Sequence, residues 1–418
     1  MSIKSIFELE EFKKYERRWN SRTKELSRRA SYYDGSVYNK MREGLDWLAP
    51  RLYRGIKPLY LPLSQAVDVD AGIVPGGWKL PDDEPKADLW QKAMNIIFDW
   101  SKWDTDGVLY IHYGAQYGVS GLHVADLRTD NMIVVQPVDP LLFMLVDENL
   151  YTDNADMAIW IEKIPGEDGT DFEYAEITTP ELIRTFKNGI STGFDDREPE
   201  YKNELGFVPY VEVRHVETGK PLGECTYQKA IPLLDEVNEI ASHLADIIKK
   251  NADAQWAIFG AEPSDIEHAS DVVWFFPQGA DAKPLVPGID IDGVLAFVQE
   301  IASNVKGALP EKAFDDLQKK DQIATATLEL QLMELVLKIK RVRPNYDRGL
   351  TTALQMAGRA AKTMSLPDIA VLDDPGLRFD PERDILPLDQ KTQIELETAQ
   401  LELDMLKNST MITEGDNV

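Results

Sequence analysis

The chain has one cysteine, Cys225, in 418 residues. That excludes a disulfide framework and any CxxC zinc site. Its five histidines are scattered and make no HxxxH or HExxH ligand pair, so no metal and no cofactor is expected. No apolar run approaches the roughly 20 residues that span a bilayer, and no basic-then-apolar segment opens the chain. A reducing intracellular setting without a membrane is the expectation, and Asn408-Ser409-Thr410 then matches a glycosylation sequon by chance. There is no GxxxxGK[ST], which excludes a Walker-type ATPase. Gly189-Ile190-Ser191-Thr192-Gly193 matches GxSxG, but a nucleophile elbow needs a strand before it and a helix after it. Here the match follows a predicted helix, "TTPELIRTFKNG", and leads into "FDDREPEY", so it reads as chance.

Positive charge is also scarce. The net charge is -27, with 45 Lys and Arg against 72 Asp and Glu. It is uneven: residues 1–57 carry 14 basic against 8 acidic residues, leaving 31 against 64 for the rest, or +6 against -33. A protein that grips DNA by counterion release needs a basic surface, so an ordinary DNA binder is excluded. The acidity suits solubility or a surface that repels DNA.

What is present is an alternation of long helical and short strand patterns, with 43% hydrophobic residues, enough for substantial cores. "FELEEFKKYERRWNSRTKELSRRASYYDG" reads as a charged helix with a thin apolar stripe. Its interleaved acids favour a solvated face over a nucleic-acid patch. Pro50, Pro58 and Pro62 make "LDWLAPRLYRGIKPLYLPL" an extended connector. A helix is predicted from about Leu89 to Trp103. Strand patterns follow in "GVLYIHYG", "SGLHVADL", "NMIVVQPV", "LLFMLVD", "DMAIWIEKI", "FEYAEIT" and "YVEVRHV", interrupted by a short helix at "TTPELIRTFKNG". This predicts an α+β domain with an antiparallel sheet.

From Tyr227 to Asn251 the pattern becomes a long helix. Leu233, Leu234, Val237, Ile240, Leu244, Ile247 and Ile248 form a stripe too broad for contact with one neighbour. Short β pieces, "AQWAIFG" and "DVVWFFP", separate it from a second helix over "IDIDGVLAFVQEIASNVKGAL". After the polar stretch 310–322 comes the longest helical pattern, Ile323 to Met364. Its first half is apolar on more than one side, and Pro344 places a kink or break near Lys340 to Asn345. An acidic helix is predicted at about 389–407.

The order of these parts resembles the tailed-bacteriophage portal (head-to-tail connector) protein family, from about Leu89 to the C-terminus. "NELGFVPYVEVRHVETG", with Gly206, Val208 and Pro209, is similar to the family's segment before the stem. "YQKAIPLLDEVNEIASHLADIIKKNADAQWAIFG", with Leu234, Asp235 and Asn238, is similar to the stem helix running into a clip strand. "FDPERDILPLDQKTQIELETAQLEL" is similar to the crown segment, and "VDPLLFMLVDE" to part of the wing sheet. The likeness lies in order and spacing, not in a catalytic fingerprint. The chain departs from the family in having "QKKDQIATAT" before the long buried helix, where a Gly/Ser-rich entry is common, and in its small crown.

The resemblance implies a division into an N-terminal basic helix and extended wing segment (1–88), an α+β wing (89–226), a stem helix (227–251) and a clip (252–288). A returning stem helix (289–309), a tunnel loop (310–322), a long kinked helix (323–366), and a crown with an acidic tail (367–418) complete it. It implies a non-enzymatic ring, dodecameric in the family, at one capsid vertex of a virion and assembled in the host cytoplasm. Double-stranded DNA would pass through the ring without sequence specificity during packaging and ejection. Terminase, head-completion or adaptor proteins, capsid and scaffold protein would be its partners. The stem residues from Leu233 to Ile248 would pack against the returning helix and a neighbouring subunit. Lys312, Lys319 and Lys320 would lie in the tunnel loop, as weak phosphate contacts or as ordinary solvated lysines. Asp235 and Asn238 read as structural. Two other classes compete: a metal-dependent packaging nuclease using pairs such as Asp315 and Asp316 or Asp373 and Asp374, and a cytoplasmic helical adaptor dimer.

Overall fold

The structure, a computed structural model, describes residues 5–39, 60–146, 155–166, 169–194, 197–252, 255–259, 281–285, 291–312, 325–381, 383 and 385. The charged N-terminal pattern forms helix α1 (Lys13–Tyr33), whose buried residues include Trp19, Arg22, Leu26 and Arg29. This is helical spacing with arginines in two of the inward slots. Arg29 is tolerated there because its Nη1 donates to Tyr117 O at 2.5 Å and to Gly223 O at 2.7 Å, so the buried guanidinium is hydrogen-bonded.

Helix α2 (Leu63–Ile73) has no counterpart in the sequence reading, since "AVDVDAG" alternates like a strand. Helix α3 (Ala87–Ser101) matches the helix predicted from Leu89. Helix α4 (Trp103–Tyr117) overturns the strand expected at "GVLYIHYG". Its buried Gly107, Tyr110, Ile111, Gly114 and Ala115 recur at three and four, a period that the β-favouring Val, Tyr and Ile conceal. Gly118, at φ +81°, ends α4, and a Cβ there would sit 2.1 Å from Arg29 Nη1 and 2.6 Å from Gly223 O. Glycine is required both for the left-handed cap and for the close approach.

Nine strands follow: β1 (Val119–Leu127), β2 (Met132–Val138), β3 (Phe143–Val146), β4 (Met157–Pro165), β5 (Asp171–Thr178), β6 (Leu182–Lys187), β7 (Ile190–Ser191), β8 (Glu200–Lys202) and β9 (Tyr210–Arg214). They form two antiparallel sheets instead of one, ordered β2-β1-β9 and β3-β4-β5-β6-β7, with β8 also on β6. The short helix expected at "TTPELIRTFKNG" is strand β6, paired with β5 from Tyr174–Lys187 to Thr178–Ile183. The physical reason is the turn. Asn188 (φ 50°) and Gly189 (φ 71°) are both left-handed, as a type I′ hairpin requires, and Asn-Gly is the dipeptide that favours it. GxSxG therefore spans a hairpin turn and β7, with Ser191 exposed, not a strand-to-helix elbow.

Helix α5 (Ile231–Ala252) leads into a two-stranded hairpin, β10 (Gln255–Phe259) and β11 (Asp281–Leu285), and helix α6 (Ile291–Gly307) returns along α5. "AQWAIFG" contains β10 as expected, whereas "DVVWFFP" lies outside the described residues. Helix α7 (Thr325–Thr363) matches the longest predicted pattern. It runs unbroken through Pro344, although that residue has no N–H to give to the carbonyl of Lys340.

The main core gathers α3, α4, β1, β2, β9 and α7 from Leu332 to Ala361, with Ile369, Leu372, Leu377 and Phe379 added from the chain after α7. Here α8 (Pro367–Ala370) and the following loop complete the main core, so packing continues across residue 367. Arg383 clasps Asp347 with Nη1–Oδ2 at 2.8 Å and Nη2–Oδ1 at 2.6 Å, a bidentate ion pair fixing this return to α7. The predicted acidic helix 389–407 lies outside the described residues.

Candidate functional site

The feature the sequence singled out is the α5–α6 pair, and its base is firmly built. Leu234 packs with Tyr32, Tyr38, Leu63, Val67, Tyr227 and Val305 in one buried cluster. Asp235 and Asn238 are hydrogen-bonding anchors. Asp235 accepts from Tyr32 OH at 2.8 Å and Tyr38 OH at 3.1 Å. Asn238 accepts from Tyr60 N at 3.0 Å and donates to Tyr60 O at 3.2 Å and Leu234 O at 3.0 Å. One turn of α5 thus ties down the end of α1, the segment after it and the entry to α2.

The predicted stem stripe divides. Leu234, Val237 and Leu244 are buried inside the single chain, the part of the stripe expected to pack within the subunit. Leu233 and Ile240 are half-buried, and the side chains of Ile247 and Ile248 lie outside the described residues. Exposed apolar side chains stand on α6 and α7, as others do elsewhere, Leu89 and Ile190 among them. Leu295 and Phe297 of α6 are 45% and 48% exposed, and Met333 and Leu337 of α7 are 50% and 61% exposed. Sequence patterning marked α7 here as apolar on several sides; within one chain, one side is bare.

Below the pair, α6 ends against a single turn, Pro310–Lys312, and a buried polar joint. Lys312 is a correction. It is 6% exposed and its ammonium donates to Gln65 Oε1, so it is not a solvent-facing loop cation. Lys319 and Lys320 lie outside the described residues. Lys338 of α7 sits between two buried carboxylates, Asp70 of α2 at 2.7 Å and Glu311. Thr226 donates to the same Asp70 oxygen, and His215 Nε2 lies 3.0 Å from Thr226 Oγ1 and 3.4 Å from Asp70 Oδ2. Tyr346 OH is 2.8 Å from His215 Nδ1. Thr226 gives its proton to Asp70, so the network assigns the His215 proton to Nε2 and makes Nδ1 the acceptor from Tyr346.

Charge sets the state of this joint. Burial pushes the Asp70 carboxyl up, but the Lys338 ammonium and the His215 hydrogen bond outweigh it and hold the group well below the usual range. Burial and then the Asp70 charge push Glu311 up to about 7, with Lys338 offsetting only part. Burial lowers His215 despite Asp70, so the imidazole is neutral. Asp70 Oδ1 and Glu311 Oε2 have no hydrogen-bond partner among the described residues. Two carboxyl groups therefore share one ammonium.

None of Asp70, His215, Glu311 or Lys338 was marked as a site residue from sequence. Asp70 in "AVDVDAGI" stands beside Asp68, and Lys338 in "ELVLKIKRV" beside Glu334, Lys340 and Arg341, so neither stood out. As for hydrolytic chemistry, Asp373 pairs with Lys362 and Asp374 with Lys86, each on its own lysine. Asp315 and Asp316 lie outside the described residues. No cluster of three or more His, Cys, Asp or Glu able to hold a metal occurs among the described residues, and no described helix is long and apolar enough to cross a membrane. Cys225 is buried, and burial pushes its thiol up to about 12.

No protein-family model matches the chain, and no curated protein matches it. Among solved structures it is similar to a chain in the virion of a native gene transfer agent particle, at 12% identity over 84% of this chain and 90% of that one, with a TM-score of 0.33. A chain in the neck of a native gene transfer agent particle, computed with C12 symmetry, is 13% identical over 72% of this chain and 75% of that one, with a TM-score of 0.29.

Proposed function

We propose that the chain is the subunit of a portal-type ring, a non-enzymatic homo-oligomer of a phage-like virion through which double-stranded DNA passes. The observation that carries this is the uncovered apolar surface of two long helices, Leu295 and Phe297 on α6 and Met333 and Leu337 on α7, beside a stem pair whose own seam is closed. Covering each such side chain contributes about 1.5–3 kcal/mol, and repeated contacts between like subunits close into a ring. The order of wing, stem, hairpin, returning stem and long helix follows the portal resemblance of the sequence. The charge of -27 suits a channel that lets phosphates slide without adhering. Terminase and head-completion proteins are the partners this reading assigns to the hairpin end, and capsid protein to the wing.

Native mass spectrometry with negative-stain imaging of the purified chain tests the reading. Rings of about a dozen subunits with a central hole are the expected result. A compact dimer at all concentrations would sink it in favour of a helical adaptor. Incubation with DNA and divalent cations is expected to leave the DNA intact; cleavage lost on changing Asp315 and Asp316 would establish the nuclease reading instead.

A further inference from the structure

A cleft on the wing side of the chain differs from the stem seam in its chemistry. It measures ≈ 1560 Å³ and lies between α1, the strand β9 with its following loop, and the middle of α7. Ten Lys or Arg side chains line it against four Glu, an excess of six positive charges in a protein that carries -27. Three of the four carboxylates are already engaged: Glu25 with Arg28 at 3.3 Å and Arg29 at 3.2 Å, Glu212 with Arg22 at 2.7 Å, and Glu217 with Arg214 at 2.8 Å. Arg17, Lys24 and Lys220, all exposed, have neither an ion-pair nor a hydrogen-bond partner among the described residues.

Arg22 adds an independent sign of an absent ligand. Its side chain is 8% exposed and lines the cleft, yet neither Nε nor Nη2 makes a hydrogen bond. The Nη2 contact with Glu212 is close enough for an ion pair but not aligned for a hydrogen bond. A buried guanidinium with unfilled donors is costly unless a further acceptor reaches it.

We propose that this cleft is an electrostatic docking groove for an acidic surface of a second copy of this chain. The proposal rests on the ring reading and names a second contact within it, separate from the apolar helix faces. The occupant follows from charge. Outside residues 1–57 the chain has 64 acidic against 31 basic residues, so each copy presents the sign that the groove of its neighbour lacks. Val211, Pro221 and Leu222 also line the cleft, offering a protein segment apolar contact that a phosphate backbone cannot use. A DNA duplex would gain little here. Three unpaired cations give a salt slope of only about -3.

The test is the triple charge reversal Arg17→Glu, Lys24→Glu, Lys220→Glu in the full chain, with the neutral triple Arg17→Gln, Lys24→Gln, Lys220→Gln as a milder companion. Sedimentation velocity reads the protein concentration at which rings form, in about 0.1 M and about 1 M NaCl, where the Debye length falls from about 10 Å to about 3 Å. The reversal is expected to raise that concentration about tenfold or more in low salt, with the neutral triple between it and the parent and all three converging in high salt. Thermal midpoints of the subunit should not move, since all three side chains are exposed. Rings that form equally well in all three proteins at both salts overturn the groove and leave the ring reading standing. A parent chain that forms no ring at any concentration overturns the ring reading, and the groove with it. A short DNA duplex that binds the parent but not the reversal, with assembly unchanged, overturns the groove as a protein contact and makes it a nucleic-acid surface.

Discussion

Helix α7 passes through two environments without interruption. From Val342 onward, Val342, Tyr346, Leu350, Leu354, Ala357 and Ala361 are fully buried in the main core with α3, α4 and strands β1, β2 and β9. In its first half Leu332 and Leu335 are buried, while Met333 and Leu337, four residues apart on one face, stand half or more in solvent. Apolar density is similar in the two halves, so hydrophobicity alone does not explain the difference. The second half is finished within one chain, with even its small residues in contact: a Cβ on Gly114 of α4 would fall 1.7 Å from Tyr346 OH. The first half is buried on one side, through Leu332, Leu335 and Ile339, and bare on another. Between them lies Lys338 and the polar joint, which marks the boundary.

The largest effect is expected at that boundary. Lys338→Met removes the ammonium that meets both Asp70 and Glu311 and leaves two buried carboxylates facing each other. Breaking one side of a buried ion pair costs about 3–5 kcal/mol, so the urea midpoint of the subunit should fall steeply. Adding Glu311→Gln to that variant should recover part of the loss, because one uncompensated charge is gone. A Lys338→Met protein within about 1 kcal/mol of the parent would show that the joint is wet and weak, and the boundary would lose its energetic meaning.

Acidity gives a second, smaller handle on the same place. The groups facing Glu311 are Lys338 and, beyond it, Asp70, with His215 neutral behind Asp70. The folded Glu311 carboxyl titrates at about 7, above its ordinary 4.5. The folded state therefore holds a proton that the unfolded state has released, and stability contributed by this group falls as pH rises from about 4.5 to about 7. Asp70 has the opposite sign, being held low: its contribution is present above its ordinary range and is lost as pH falls through its folded value. Glu311→Gln is expected to flatten the decline between pH 5 and 7 and to raise the melting temperature at about pH 8. An unchanged slope would assign the decline to other groups.

These contrasts also explain which parts could be read in the amino-acid order. Helices α5, α6 and α7 were legible because long apolar stripes at three and four have no strand alternative, and the strands β1, β2, β4 and β5 because their runs are short and bounded by turns. Two local readings went wrong, and one helix went unread, where composition and period disagree. Helix α4 is built from β-favouring residues, α2 alternates acids with valines, and β6 follows a proline that suits a helix start although its Asn188-Gly189 turn fixes a hairpin. The joint was not legible at all. Asp70, His215, Glu311 and Lys338 come from four separate segments, each carrying one polar residue that has no meaning until the fold brings them within bonding distance. Lys312 shows the converse: a lysine in a polar stretch looks solvated, yet the turn at Pro310 carries it into the body.

The smallest expected effect on the subunit is the most informative about the outer half of α7. Met333→Ser together with Leu337→Ser replaces two exposed apolar side chains, and exposed substitutions away from special features change stability by no more than about 0.5 kcal/mol. The same pair should abolish or greatly weaken ring formation. Each side chain removed forfeits about 1.5–3 kcal/mol of burial against a neighbour, and the loss recurs at every interface of a closed ring. The measurement is a paired one, a urea melt beside native mass spectrometry of the same preparation. A normal melt with lost rings would separate the two halves of α7 into a folding half and an assembling half. A normal melt with normal rings would mean that Met333 and Leu337 face solvent in the assembly too, and the uncovered surface of α6, Leu295 and Phe297, would then have to carry the contact alone.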